Sequence, residues 1–292
     1  MKGIKIILSL AIGAAVVFSC KSNPVKKEEV NSTTVDSLVQ DVETPIMETE
    51  SLYLKGNDLK VIPIKEVKDD AVEAQEYLES RRFRKETEGY IIDFCYPYLK
   101  ESINPKFKLF NQYVMNDLLK LPEIEKSIIE SQELLCDTSN VTLNTEHRVA
   151  DYKVFLQNKK ELSVLFYLEN HYTNTKATYY TFKTVNFDIE KGKLLNFDDF
   201  FAVEDSEEVL DIVNMEISTS IRNGDMFYEC FTVSKEDFEK AKNDFVFKNK
   251  SIIFYFNDCV MCPAFVGTYE IEIPLERFKP ILKKEIIEEL AI

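Results

Sequence analysis

The stretch LSVLFYLE, residues 162–169, decides the fold: Leu162, Val164, Phe166 and Leu168 alternate with Ser163, Leu165, Tyr167 and Glu169. A period of two sends successive side chains to opposite faces, so this is a strand with one face deeply buried. Downstream, Tyr179 to Phe187 reads as a second strand, rich in β-branched and aromatic residues, and Glu190-Lys191-Gly192-Lys193 as a turn. Asp205-x-x-Glu208 and Ser234-x-x-Asp237 have capping-box spacing and predict helices over 206–222 and 235–242. Ile252 to Asn257 and Tyr269 to Ile273 return to strand, the latter with Glu270 and Glu272 outward, and are expected to pair antiparallel. Phe278, Leu282, Ile286 and Leu290 form one stripe of a closing helix that starts at Pro280.

Upstream, Leu52 to Ile64 alternates loosely around a hairpin-like Gly56-Asn57-Asp58, and the highly charged run Asp69 to Lys85 reads as an exposed helix. Tyr90 to Pro97 is a strand ended by its proline. Asn104-Pro105 opens a helix whose apolar positions Phe107, Phe110, Val114, Leu118 and Leu121 keep the helical period until Pro122, and a second helical stretch runs to about Leu135. Helices and strands arrive in runs rather than in strict βαβ alternation, which predicts an α+β protein with antiparallel sheets and packed helices.

The chain has 292 residues and a formal net charge of −15, with 14 Tyr and 21 Phe to build a core. Such acidity repels nucleic-acid phosphates and anionic headgroups. The N-terminus carries Lys2 and Lys5, then the apolar run Ile6 to Phe18, then Ser19 and Cys20. The run is shorter than the about 20 residues needed to cross a membrane, so residues 1–19 read as a lipoprotein leader and Cys20 as its lipidation site. That address is the bacterial cell envelope, with membrane contact only through the lipid on Cys20. Residues 20–50 hold scattered apolar residues among Lys, Glu, Ser and Thr and predict a disordered tether.

One resemblance rests on specific residues. Leu162–Tyr167, then Thr184-Val-Asn-Phe-Asp-Ile-Glu-Lys-Gly-Lys193, then Leu195–Phe201, then Ile252–Phe256, Cys262-Pro-Ala-Phe-Val-Gly267 and Tyr269–Pro274 resemble the C-terminal ectodomain of RsiV-type anti-sigma factors. The positions that match are Asn186, Phe187, Asp188, Gly192, Phe201, Pro263 and Gly267. Ile92–Pro97 with Ile103-Asn-Pro105 resembles the companion domain found in PdaC-type deacetylases. The resemblance implies two consecutive α/β modules, residues 51–137 and 138–292. It also implies an extracytoplasmic recognition module, non-catalytic, whose partner is an envelope protein such as a lysozyme-like hydrolase or a cell-wall glycan. Where the family carries a Gly-Ala-His-Gly-like loop between its first two strands, this chain has Tyr172-Thr-Asn-Thr-Lys-Ala-Thr178.

Candidate chemistry is sparse. Cys259-Val-Met-Cys262-Pro263 follows a strand, with no helix N-terminus to activate a thiol, so a structural disulfide is the expectation, drawn from Cys259, Cys262, Cys230, Cys95 and Cys136. These cysteines lack the spacing of a zinc site, and the sequence points to no metal or cofactor. His147 and His171 read as isolated residues, and the acidic cluster Asp198, Asp199, Glu204, Asp205, Glu207 and Glu208 as helix caps and solvated surface. No catalytic residue is assigned. The alternative is a wall-active hydrolase whose paired carboxylates only the fold would bring together. The leader yields the first test: Cys20→Ser should move the protein out of the membrane fraction on cell fractionation.

Overall fold

In the computed structural model the protein is described over residues 60–134, 144–157, 160–173, 175, 177–202, 206–224, 232–257 and 269–290. The strand read from residues 162–169 extends over Glu161–His171 (β4) and lies inside a six-stranded sheet. Its neighbours are β1 (Leu78–Glu86), β2 (Tyr90–Leu99), β3 (Glu146–Gln157), β5 (Tyr179–Asp188) and β6 (Lys193–Leu195), in sequential order β1 to β6 across the sheet. All pairings are antiparallel except β2 with β3, which run parallel from Tyr90 opposite Glu146 to Phe94 opposite Ala150. A second, antiparallel sheet contains β7 (Phe245–Lys248), β8 (Ser251–Tyr255) and β9 (Glu270–Pro274). The fold is α+β, with helices packed on both sheets.

Four layers follow from which side chains alternate where. One face of the large sheet (Ile92, Phe94, Val164, Phe166, Val185, Phe187) packs on a helical layer. That layer is the turn Pro105–Phe107, α2 (Lys108–Gln112), the wider π turn Tyr113–Leu118 and α3 (Ile124–Glu133). Phe187 meets Phe107 and Phe110 edge-on at 5.9 and 5.4 Å. The opposite face (Phe155, Leu165, Tyr167, Phe182) meets Val246, Ile253 and Tyr255 of the second sheet and Val61 and Ile64 of α1, residues 60–66. The far face of the second sheet (Phe245, Phe247, Ile252, Phe254) is covered by α4 (Phe197–Phe200), α5 (Glu207–Asn223), α6 (Lys235–Ala241) and the C-terminal segment with α7 (Lys284–Leu290). β4 is therefore buried on both faces, which is why its polar side of the alternation is itself mostly apolar.

The two sheets are also stitched by polar groups. The Ser163 hydroxyl donates to Asn186 Oδ1 (2.5 Å), Asn186 Nδ2 donates to the Phe245 carbonyl (3.0 Å), and the Phe247 N–H donates to Ser163 Oγ (3.2 Å). This closed ring satisfies backbone groups of β7 on the edge that β8 leaves open. Further along β5, the Phe182 N–H donates to Asn257 Oδ1 (2.7 Å), Lys183 Nζ to Asp244 (2.7 Å) and Thr184 Oγ1 to the Asn243 carbonyl (2.9 Å). Burial pushes the Asp244 carboxyl above its ordinary value, and Lys183 opposes the shift.

Several expectations are corrected. Asp69 to Lys85 is not a helix: only Glu73–Glu76 forms a short 3₁₀ turn, and Leu78–Glu86 is β1, because hydrogen bonding to β2 outweighs local propensity. Residues 60–66 are helical rather than extended, since Val61 and Ile64, three apart, both enter the core. Pro97 does not end β2, because the side of β2 facing β3 is unpaired beyond Phe94 and no ladder bond is lost there. Pro280 lies in a turn and the last helix starts at Lys284. Glu272 is exposed as expected, but Glu270 is half-buried beside Tyr255, and burial pushes its carboxyl up. The strands β3 and β7 carry no reading from sequence. The expected boundary near residue 137 lies outside the described residues, and the parallel β2–β3 pairing makes one sheet of strands from either side of it.

Asn186→Ala opens the Ser163–Asn186 ring and leaves the buried Phe245 carbonyl short of a partner. The expected loss is about 1–3 kcal/mol in urea unfolding, with the slope of the transition unchanged.

Candidate functional site

β3 and β4 pair with His147 directly opposite His171, Arg148 opposite Asn170 and Val149 opposite Glu169. Alternation along both strands then separates two groups. His147, Val149, Glu169 and His171, with Asn144, Thr145 and Thr178, line an open groove of about 470 Å³ at the end of the sheet where the 172–178 connection leaves β4. The two imidazoles meet edge to face with ring centroids 6.2 Å apart. Glu169 is ion-paired with Lys65, whose ammonium also lies over the Tyr167 and Tyr180 rings at 6.0 and 5.8 Å.

Behind the groove, on the other face, a buried network fixes the same strand ends. Glu146 is 1% exposed and accepts from Arg148 Nε (2.7 Å) and from the Thr173 hydroxyl (3.1 Å). Arg148 Nη1 donates to Asn170 Oδ1 (3.1 Å), and its guanidinium lies 4.1 Å over the Tyr172 ring, which in turn packs against Tyr179. Gln132 of α3 donates to Thr173 Oγ1 (3.3 Å) and to the Gly89 carbonyl (3.1 Å). The network ties the base of the 172–178 connection to both the sheet and the helical layer, so the groove sits on a rigid support.

The residues singled out in the sequence serve mostly the frame. Asn186 holds β7, Phe187 fills the helical core, and Asp188 accepts the Lys191 N–H (2.7 Å) in the turn that follows. Gly192 has φ +66°, and a Cβ there would lie 2.4 Å from Lys106 Cβ, so the turn can close against the start of the helical layer only with glycine. Phe201 stacks on Phe197 at 4.5 Å and bridges to Leu282. Asn196 and Asp199 form a capping box on α4; burial alone would raise the Asp199 carboxyl, but Lys193 and the Asn196 N–H hold it below its ordinary value. Ser234 caps α6 as expected, accepting the Asp237 N–H (3.1 Å).

Cys95 is a free thiol on β2, raised above its ordinary pKa by burial and by Asp151, which makes it a poor nucleophile. Cys20, Cys136, Cys230, Cys259, Cys262, Pro263 and Gly267 lie outside the described residues. The histidines are the chief correction: they read as isolated, yet the β3–β4 register makes them neighbours. The sequence carried no signal for this pairing, because β3 itself was not recognised and register belongs to the pair of strands.

No protein-family model and no curated protein matches the chain. Solved structures do. A DUF3298-family protein from Bacteroides fragilis superposes with a TM-score of 0.54 at 18% identity, covering 73% of this chain and 96% of that one. A DUF3298-family protein from Pseudomonas aeruginosa gives 0.52 at 12% identity, covering 72% and 96%. The chain has the fold of DUF3298 proteins. That likeness extends to a domain of unknown function in bacteria and, at these identities, concerns architecture alone.

Arg148→Met leaves Glu146 buried without its cation. The expected cost is about 3–5 kcal/mol in denaturant unfolding, partly recovered when Glu146→Leu is added, because replacing the whole pair removes the uncompensated charge.

Proposed function

We propose that this chain is a non-catalytic recognition module of the bacterial cell envelope, anchored through lipid on Cys20, that binds its partner in the His147/His171 groove. The observation that carries the reading is the groove itself: about 470 Å³, open, and lined by Asn144, Thr145, Thr178 and two imidazoles on rigidly held strands. Amide, hydroxyl and imidazole groups hydrogen-bond neutral polyhydroxylated chains, and the one carboxylate among the described lining residues, Glu169, is neutralised by Lys65. These features favour a cell-wall glycan strand. The net charge of −15 supports the second partner implied by the RsiV-type and PdaC-type resemblance, a basic protein such as a lysozyme-like hydrolase.

A wall hydrolase would need two carboxyl groups about 5–9.5 Å apart across the scissile bond. Among the described residues Glu169 alone lines the groove with a carboxylate. The hydrolase reading therefore draws no support from this site.

The test is binding of the mature chain to soluble glycan strands and, separately, to purified lysozymes, by calorimetry in low and physiological salt. Asn144→Ala and Thr178→Val should weaken glycan binding several-fold without lowering the melting temperature. Tight, salt-sensitive binding to lysozyme that ignores both substitutions would place the partner on the acidic surface instead of in the groove.

A further inference from the structure

β6 pairs with β5 only from Asn186 to Asp188, so the chain turns away after Leu195 and leaves that edge of β5 open at Thr184 and Val185. A cavity of about 230 Å³ occupies the opening, between the large sheet, the helical layer and the junction of α6 with β7. Among its lining residues Thr184 and Val185 are buried, Leu195 and Tyr113 half-buried, and Asn196 and Asn243 exposed. Tyr113 begins the π turn, where the Leu119 N–H bonds to the Val114 carbonyl five residues back (2.9 Å). Such widened turns are rare in helices and recur at functional sites.

The polar groups of the cavity are oriented by bonds they make elsewhere. Asn196 Oδ1 accepts the Asp198 N–H (2.9 Å) and Asn243 Oδ1 the Phe197 N–H (2.8 Å), so both oxygens are committed to the start of α4. Each carboxamide keeps an amino group that meets no acceptor among the described residues. The Tyr113 hydroxyl likewise has no hydrogen-bond partner among them, and burial with the nearby Asp244 and Asp117 charges raises its pKa, which holds it in the donating form. Thr184 Oγ1 donates to the Asn243 carbonyl (2.9 Å) and can still accept.

Size and charge narrow the ligand. Drug-sized molecules fill roughly 300–1,000 Å³, so a cavity of about 230 Å³ admits a single ring with its substituents. No charged residue is among the described lining residues, so an amino acid or a phosphorylated compound would bury its charge there without a partner. Donors outnumber acceptors, and Val185 and Leu195 add apolar surface, which calls for a neutral molecule rich in oxygen acceptors that carries an apolar group.

We propose that this cavity binds one N-acetylated sugar ring, its carbonyl and hydroxyl oxygens accepting from Asn196, Asn243 and Tyr113 and its methyl group resting on Val185 and Leu195. The site is separate from the His147/His171 groove, and neither reading depends on the other.

The experiment is titration of the isotope-labelled mature chain with N-acetylglucosamine, followed by NMR. The side-chain amide signals of Asn196 and Asn243 should shift, with millimolar affinity because so small a ligand makes few contacts. Tyr113→Phe removes only the unpartnered hydroxyl, and Asn196→Asp keeps an oxygen for the Asp198 N–H while deleting the donor. Each should weaken binding about threefold to tenfold at an unchanged melting temperature. Glucose, which lacks the acetamido group, should bind more weakly. Absence of shifts at tens of millimolar sugar, shifts confined to the His147 and Thr178 signals, or equal binding by the parent and both variants overturns the site. Equal binding of glucose overturns the acetamido assignment. With the β-linked tetramer of the same sugar, shifts of the same asparagine signals assign the end of a glycan chain as the ligand, and their absence assigns the free monosaccharide.

Discussion

A strand edge buried between two sheets must find partners for its backbone groups away from water, and this constraint organises the molecule. β7 lies across the face of the large sheet with β8 on one side and, among the described residues, no strand on the other. Ser163 and Asn186, directly opposite each other on β4 and β5, supply the missing donor and acceptors. An unmet amide in such a place costs about 1–3 kcal/mol, comparable to a good share of the net stability of a domain. The same pair fixes the register of one sheet on the other, because a one-residue slip of β5 would turn Asn186 toward the helical layer and Phe187 toward β7.

The Asn-Phe-Asp run at 186–188 shows how a short motif can hold three layers at once. Alternation sends Asn186 to the second sheet and Phe187 to the helical layer, while Asp188 starts the turn that Gly192 closes against Lys106. Lys106 Nζ then donates to the Lys191 carbonyl (3.1 Å), and Asn104 Nδ2 to that of Ile189 (3.4 Å), binding the start of the helical layer to the same turn. The motif therefore belongs to the frame. The groove lies at the opposite end of β4 and β5, where a change of side chains leaves the inter-sheet ring untouched.

Division of labour between the two ends suits the recognition role proposed for the groove. The groove residues sit on strands whose ends are clamped by the buried Glu146–Arg148 pair and by Gln132 from α3. Breaking such a pair is costly, whereas its net contribution to stability when intact is modest, so its value here is positional. A clamped support keeps the histidines, Glu169 and Thr178 at fixed spacing, which lowers the ordering cost of binding.

Period-two alternation at 162–169, the aromatic run at 179–187, the Asn104-Pro105 opening and the Ser234 cap determined strands, helices and the α+β class, because each of these signals is local. β1 was misread because a strand with charge on both faces has no periodic apolar signal, and its state depends on hydrogen bonds to β2, eleven residues away at the Arg82–Asp93 contact. The sequence by itself also carried the acidity and the motif at 186–192, though not what the motif does. Only the tertiary structure decided that β2 and β3 run parallel, that β7 needs a polar ring, and that His147 and His171 share a groove. Register is a property of pairs of strands, and neither strand alone states which residue of the other it will face.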